Sequence, residues 1–180
     1  SEKINCKNFF KRGDIIVISF NEKSGKYQLS QIPKVNGGMV VIENKTGRVL
    51  AMVGGYDSSS SFNRVTQANR QLGSSFKPFV YITALENGYT PVSRVLDAPF
   101  VIDDHSKDGV WRPTNYGEKF YGLSTLRLGI EKSRNLMTIR LSDQVGLEKI
   151  AELSKKLDIY DDFPFLISRS LGSLESSLLK

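Results

Sequence analysis

The stretch Gln71-Leu-Gly-Ser74-Ser-Phe-Lys77-Pro78 decides how this sequence is interpreted, because it joins a glycine-containing loop to an apolar segment. From Ser74 to Leu85 the residues are apolar nearly all round, which predicts a buried helix. Asn87-Gly88 is a suitable helix end, and Pro78 is tolerated in the first turn. Ser74 and Lys77 are three positions apart on one helix face, so the lysine can reach the serine hydroxyl.

Two side chains of this stretch could act as a nucleophile and its base. A serine hydroxyl is a weak nucleophile until a neighbouring group takes its proton. A lysine can be that base only if burial or nearby cations lower its pKa from about 10.4 toward neutrality. The apolar helix offers such burial, and the helix start offers N–H groups near a developing oxyanion. Taken alone, these two residues favour a helix N-cap and a lysine that extends along the surface over a catalytic pair, so their context must decide between the two interpretations.

Short patterns of this kind recur along the chain and therefore do not identify a site by themselves. The S-x-x-K pattern occurs again near the C-terminus, S-x-N occurs three times, and K-T-G occurs once. These copies are Ser177–Lys180, Ser19–Asn21, Ser61–Asn63, Ser133–Asn135 and Lys45–Gly47.

Composition narrows the class of protein. With 180 residues, 39% hydrophobic and 24% charged, the chain is long enough for one folded domain, or one domain with a small appendage. The net charge is +6, but lysines and arginines are spread without a basic run, so nucleic acid is not an expected partner. No stretch approaches 18 apolar residues and the N-terminus has no signal-peptide core, so these residues are expected to hold neither a membrane span nor a signal peptide.

Metal and cofactor chemistry is not expected. The single Cys6 excludes an intramolecular disulfide, and together with the single His105 it gives no metal-ligand set. Asp103, Asp104 and Asp108 cluster in a loop, but their spacing is not that of a cation site, so a solvated turn is predicted.

Alternating residues and turn signals predict two hairpins, followed by a long irregular segment over 91–122 that contains Pro91, Pro99 and Pro113. Turns rich in Asn, Ser and Gly join the hairpin strands. The predicted strands are Asp14–Phe20 with Tyr27–Ile32, and Met39–Glu43 with Val49–Val53. Further helices are predicted over 124–133, 135–144 and 147–157.

The stretch from Gly73 to Phe79 closely resembles the active-site helix of class A penicillin-binding proteins, the bifunctional enzymes that build peptidoglycan. Surrounding blocks resemble the family too, and they occur in its order from about residue 34 to residue 180. These blocks are Val49–Gly55, Phe62–Ala68, Asn87–Pro91, Trp111–Tyr116, Lys132–Asn135 and Leu171–Ser173.

The resemblance implies an α+β fold of the penicillin-binding/β-lactamase-like serine transpeptidase type, of which this chain would be the N-terminal portion. Residues 1–36 would be the end of a small OB-like β module, and residues 37–180 the first part of the transpeptidase domain. The parent protein would act at the periplasmic face of the bacterial inner membrane, anchored there by a segment outside these residues.

The resemblance also selects among the repeated patterns. It implies that Ser74 attacks a terminal D-Ala–D-Ala of a peptidoglycan stem peptide, that Lys77 takes its proton, and that β-lactam antibiotics acylate the same serine. Ser133 would relay a proton to the leaving group, and Asn135 would bind the lysine and the substrate amide. Ser19, Ser61 and Ser177 then become ordinary polar positions.

Further residues receive roles from the same resemblance. Ser75, Trp111 and Tyr116 would line the substrate cleft, although a core role suits Trp111 and Tyr116 equally well. Arg134 is interpreted as a structural or surface residue.

The family's third motif lies on a strand well after the S-x-N motif. Lys45–Gly47 precedes the nucleophile, so it is predicted to be only a turn. Without the third-motif strand one oxyanion donor is lacking, and loss of one donor typically costs on the order of 100-fold to 1000-fold in rate, so the isolated chain is expected to be weakly active or inactive. A serine β-lactamase and a non-catalytic binding fragment are the alternatives.

Overall fold

The first described element is a two-stranded hairpin. In the computed structural model, which describes residues 9–56, 61–102 and 110–180, β1 (Val17–Asn21) pairs antiparallel with β2 (Lys26–Ser30). Asn21 closes the turn, because its Oδ1 accepts hydrogen bonds from the N–H groups of Lys23 (3.0 Å) and Ser24 (3.2 Å). The hairpin predicted from residues 14–32 is confirmed.

A second hairpin is formed by β3 (Met39–Ile42) and β4 (Val49–Val53), with Met39 opposite Val53. The N–H of Gly47 donates to the carbonyl of Glu43 at 2.9 Å, and Gly47 takes a φ of +70°, which glycine adopts without strain. Both predicted strands are therefore confirmed, and the K-T-G triplet lies in the turn between them.

The helix that begins after Ser74 is buried on one side only. The chain forms a 3₁₀ turn over Gly73–Phe76 and continues as α1 (Lys77–Glu86), with Pro78 in the first turn. Phe76, Val80 and Ala84 are fully buried. Ile82 and Leu85, however, are 40% and 45% exposed. The predicted burial of this helix on all sides is therefore wrong.

The segment over 91–122 is less irregular than predicted. Its two ends form an antiparallel pair, β6 (Arg94–Asp97) with β7 (Gly122–Thr125), in which Asp97 lies opposite Gly122. The strand β7 also shortens the helix predicted over 124–133. That helix, α2 (Leu126–Glu131), begins after Thr125, whose Oγ1 caps it by accepting a hydrogen bond from the N–H of Leu128 at 3.3 Å.

The other two predicted helices are confirmed as α3 (Asn135–Val145) and α4 (Leu147–Lys156). Both pack against α1 around one hydrophobic core. Apolar residues of α3 that face this core are almost fully buried, and aromatic residues from 160–163 close it beside Phe76. The buried members include Met137, Leu141, Val145, Ile150, Ile159, Tyr160 and Phe163.

The C-terminal residues return to the start of α1. A 3₁₀ helix over Ile167–Leu171 precedes β8 (Glu175–Ser176), which pairs with β5 (Arg70–Gln71) just before Ser74. Together these elements form the predicted α+β fold. Among the described residues, no helix combines the length and apolarity needed to cross a membrane. Cys6, His105 and the aspartates at 103, 104 and 108 lie outside the described residues.

Candidate active site

Ser74 lies exposed in the 3₁₀ turn that precedes α1. The chain before it is held by two backbone hydrogen bonds to the C-terminal return. The N–H of Leu72 donates to the carbonyl of Leu174 at 3.3 Å, and the N–H of Gly73 donates to that of Gly172 at 2.9 Å. The hydroxyl of Ser74 is thus accessible, while the backbone just before it is held in place by hydrogen bonds to residues 172 and 174.

Lys77 is buried, with 1% of the residue exposed. Its Nζ donates to three oxygen atoms of one turn: the carbonyl of Ser133 (2.6 Å), the hydroxyl of Ser133 (3.0 Å) and the side-chain Oδ1 of Asn135 (2.7 Å). Burial lowers the pKa of Lys77 from 10.5 to about 8. A lysine with that pKa is neutral in about a tenth of the molecules at pH 7, far more often than an ordinary lysine with a pKa of about 10.4, and the neutral form is the one that a general base requires.

The turn between α2 and α3 presents these acceptors. Ser133 adopts a φ of +51°, unusual for a residue with a side chain. Its N–H donates to the carbonyl of Ile130 at 3.1 Å. Asn135 Nδ2 donates to the carbonyl of Thr114 at 2.8 Å, which turns its Oδ1 toward Lys77. The S-x-N copy selected by the resemblance is therefore the one that contacts Lys77.

The three hydrogen bonds of Lys77 correspond to its protonated form, because an ammonium carries three donors and each has an acceptor. Within the described part of the chain, the hydroxyl of Ser74 forms no hydrogen bond with Lys77 Nζ. The structure therefore brings Lys77, Ser133 and Asn135 into direct contact, with Ser74 one helical turn before Lys77.

The three predicted cleft residues differ in their surroundings. Ser75 is exposed and borders an open groove of about 700 Å³ that Arg64 and Arg70 also line. Trp111 is half-buried, and its backbone exchanges hydrogen bonds of 2.8 and 3.1 Å with Ile102. Tyr116 is fully exposed, so the core role considered for it is wrong. Substrate binding by these residues stays a prediction.

The second S-x-x-K copy has different contacts. Ser177 is 7% exposed, and its Oγ accepts a hydrogen bond from the backbone N–H of Lys180 at 3.4 Å. Lys180 Nζ pairs with Asp158 at 3.5 Å and is partly exposed. Among residues 9–56, 61–102 and 110–180, no cluster of His, Cys, Asp and Glu side chains could hold a metal ion.

Sequence reasoning missed two buried polar residues next to this site. Asn115 is 4% exposed and Asp97 is fully buried, and they hydrogen bond to each other at 2.6 Å. Asn115 lies within the block Trp111–Tyr116, but nothing in that block distinguishes its asparagine as buried. Asp97 could be recognised only after β6, which sequence reasoning did not identify, had placed it.

Comparison with known proteins agrees with this geometry. Residues 37–172 match the family model described as penicillin-binding protein transpeptidase domain. Penicillin-binding protein 1A of Rickettsia conorii is 47% identical over 175 residues, covering 97% of this chain and 22% of that protein. The protein of the same name from Pseudomonas aeruginosa is 39% identical over 163 residues, covering 89% and 20%. The chain thus spans about a fifth of the length of these curated relatives.

Solved structures agree as well. The crystal structure of penicillin-binding protein 1A from Haemophilus influenzae superposes with a TM-score of 0.79 at 34% identity, over 91% of this chain and 24% of that one. The PonA1 protein of Mycobacterium tuberculosis, solved with penicillin V, has a TM-score of 0.68 at 24% identity, over 81% and 40%, and shares the fold. The expected penicillin-binding fold is confirmed. The chain belongs to the family of penicillin-binding protein transpeptidase domains.

Proposed function

We propose that this chain carries the acyl-transfer site of a peptidoglycan D-Ala–D-Ala transpeptidase, with Ser74 as nucleophile and Lys77 as general base. One observation carries the proposal. Lys77 is buried, its pKa is lowered to about 8 by desolvation, and it lies one helical turn after the exposed Ser74. A serine becomes nucleophilic when such a base takes its proton, and the family match supports the same pairing.

The reaction has two steps, acylation of Ser74 and transfer of the acyl group to an amine. Neutral Lys77 takes the proton of Ser74 while Oγ bonds to the carbonyl carbon of the penultimate D-Ala. The C–N bond to the terminal D-Ala then breaks, and its nitrogen receives a proton through the hydroxyl of Ser133, which lies 3.0 Å from Lys77 Nζ. An amine of a neighbouring stem peptide then attacks the ester carbonyl and gives a proton to Lys77, which is neutral again. The new C–N bond forms, the C–O bond to Ser74 breaks, and Lys77 returns the proton to the serine oxygen.

Asn135 supports this chemistry in two ways. Its Oδ1 accepts from Lys77 Nζ at 2.7 Å and holds the base in place before reaction. Its amide also suits the substrate backbone, because an amide both donates and accepts hydrogen bonds. Ser75, which borders the groove, and Trp111 and Tyr116, in the segment next to Asn135, complete the proposed substrate-binding set.

A β-lactam would follow the same path as far as the acyl-enzyme. Attack by Ser74 opens the lactam ring, the ring nitrogen takes the proton, and no fragment departs, so the ester persists. The similarity to the PonA1 protein, which was solved with penicillin V, supports this expectation.

The chain boundaries within the parent protein form a second part of the proposal. The family match begins at residue 37, which supports a small β module ending in the β1–β2 hairpin and a transpeptidase domain from residue 37 onward. Because peptidoglycan is assembled outside the inner membrane, the proposed activity places the parent protein at the periplasmic face of that membrane.

Labelling with a fluorescent penicillin, followed by intact-mass and peptide mass spectrometry, tests the proposed function. The natural protein that contains this chain is expected to carry one stable adduct on Ser74. Ser74→Ala should abolish the adduct. Ser177→Ala, in the duplicate S-x-x-K pattern, is the matched control and should retain it.

Three other outcomes would contradict the proposal in different ways. Rapid turnover of the drug without a lasting adduct would indicate a β-lactamase. A folded protein without any adduct would leave a non-catalytic role. An adduct on another serine would overturn the assignment of Ser74.

A further inference from the structure

The start of α3 is capped by a side chain from another segment. The first N–H groups of a helix lack partners within it, and Arg134, the N-cap residue, makes no side-chain hydrogen bond to them. Asn115 Oδ1 accepts from the N–H groups of Asn135 (2.9 Å) and Leu136 (3.2 Å) instead. Asn115 therefore fixes the backbone of the residue whose side chain contacts Lys77.

The other end of the Asn115 amide is fixed by Asp97. Asn115 Nδ2 donates to Asp97 Oδ1 at 2.6 Å and to the carbonyl of Lys119 at 2.9 Å. A carboxylate can only accept hydrogen bonds. Asp97 thus forces the NH₂ group of Asn115 toward itself and leaves Oδ1 free to cap α3.

Asp97 also holds the middle residue of the S-x-N motif. Its second oxygen, Oδ2, is buried without a hydrogen bond and lies 3.8 Å from Arg134 Nε. The guanidinium of Arg134 lies 3.2 Å from the centre of the Tyr121 ring. Charge pairing and ring stacking therefore direct the Arg134 side chain to Asp97 and Tyr121, while its two neighbours present oxygen atoms to Lys77.

These contacts hold a strained turn. Ser133 has a φ of +51°, a conformation that persists only where the surroundings impose it. Two contacts fix the conformation of this turn. Asp97 pairs with Arg134, the residue after Ser133, and Asn115 accepts a hydrogen bond from the N–H of Asn135. We propose that Asn115 and Asp97 form a positioning pair, which touches no reacting atom but sets the oxygen atoms of Ser133 and Asn135 that hold the Lys77 base.

This inference rests on the proposed function, since it assigns a purpose to the site of Ser74 and Lys77. It is tested in the natural protein by the rate of acylation by a fluorescent penicillin, measured against pH alongside thermal unfolding. The variants are Asn115→Ala, Asn115→Asp and the exchange Asp97→Asn/Asn115→Asp. Asn87→Ala is the matched control, because Asn87 caps the far end of α1 by donating to the carbonyl of Thr83 at 2.8 Å.

Both single changes at Asn115 should slow acylation on the order of 100-fold, the typical effect of misplacing a reacting group. In Asn115→Ala the pH midpoint of the rate should fall below that of the unmodified protein, because Lys77 would lose fixed acceptors for its ammonium form while staying buried. No carboxylate among the described residues lies within ion-pair distance of Lys77 to oppose this shift. The exchange should recover part of the rate lost in Asn115→Asp, because it restores one donor facing one acceptor. Asn87→Ala should keep the full rate.

Several results would overturn the inference. A folded Asn115→Ala or Asn115→Asp protein that acylates at the unmodified rate would do so. An exchange variant that acylates no faster than Asn115→Asp would also do so. So would a pH midpoint in Asn115→Ala that moves upward toward 10.5, which would indicate only that water enters a loosened site. Failure of the unmodified protein to label at Ser74 would instead remove the proposed function and this inference with it.

Discussion

Gly172 lies directly against Gly73, the residue before the proposed nucleophile. A Cβ at position 172 would be 2.1 Å from the carbonyl oxygen of Gly73 and 2.6 Å from its nitrogen. Gly172 also takes a φ of +76°, which disfavours residues with side chains. Glycine is therefore required at position 172 both by the close approach to Gly73 and by the positive φ. Both constraints affect where Ser74 is placed.

Gly172→Ala should destabilise the protein and displace Ser74. The positive φ alone costs about 1 to 2 kcal/mol for alanine, and the clash with backbone atoms adds to it. We expect a loss of at least about 2 kcal/mol in the free energy of unfolding, measured by denaturant titration, together with slower labelling of Ser74.

Gly88→Ala is the matched control for that change. Gly88 also has a positive φ, +91°, but nothing lies within 4 Å of a Cβ built there. Gly88→Ala should lower the free energy of unfolding only by the cost of placing alanine at a positive φ, and it should leave the rate of Ser74 labelling unchanged. Equal effects of the two substitutions would contradict the close-approach explanation.

Local patterns predicted much of this fold. Both hairpins and the helices α3 and α4 were confirmed, because their period and turn residues are local properties of the sequence. The pairs β6–β7 and β5–β8 were missed. They are two to four residues per strand and join segments far apart in the chain, so no local pattern marks them.

The site divides in the same way. The sequence contains three S-x-N copies, and spacing alone does not show which one contacts Lys77. The contacts with Ser133 and Asn135 could be predicted only from the family resemblance. Asn115 and Asp97 were not predicted, because the role of each depends on tertiary contacts across 18 to 21 positions of the chain. The burial of α1 was overestimated because an apolar sequence reports hydrophobicity and not the presence of a covering element.

Ser133 allows the backbone and the hydroxyl to be tested separately. Ser133→Gly and Ser133→Ala both remove the Oγ that accepts from Lys77 at 3.0 Å, but only alanine retains a Cβ at a φ of +51°. Ser133→Gly should therefore be more stable than Ser133→Ala by about 1 kcal/mol in thermal unfolding.

The acylation rates of these two variants should be alike. Both should fall about 100-fold, the lower end for loss of a proton-transfer group. A Ser133→Gly protein that acylates at the full rate would show that the hydroxyl takes no part in the reaction.

Arg134→Met should lower stability without removing a reacting group. Asp97 is fully buried, and the arginine provides the positive charge 3.8 Å from its Oδ2. Breaking a buried charge pair typically costs about 3 to 5 kcal/mol because one charge is left without a partner.

Denaturant titration of Arg134→Met against Arg127→Met measures this effect. Arg127 pairs with Glu131 at 4.0 Å, and both side chains are more than half exposed. Removing this pair should therefore change the free energy of unfolding only slightly. If Arg134→Met were as stable as Arg127→Met, the pairing of Arg134 with Asp97 would contribute nothing to the fold.

The pH dependence of Ser74 acylation reports the protonation state of Lys77 and therefore shows whether this lysine is the general base. The buried lysine has a pKa of about 8, and only its neutral form can take the serine proton. The rate of labelling by a fluorescent penicillin should therefore rise as the pH increases through about 8 and level off above it, and Lys77→Met should abolish the labelling. A rate independent of pH between 7 and 9 in the unmodified protein, or an unchanged rate in a folded Lys77→Met variant, would show that Lys77 is not the base.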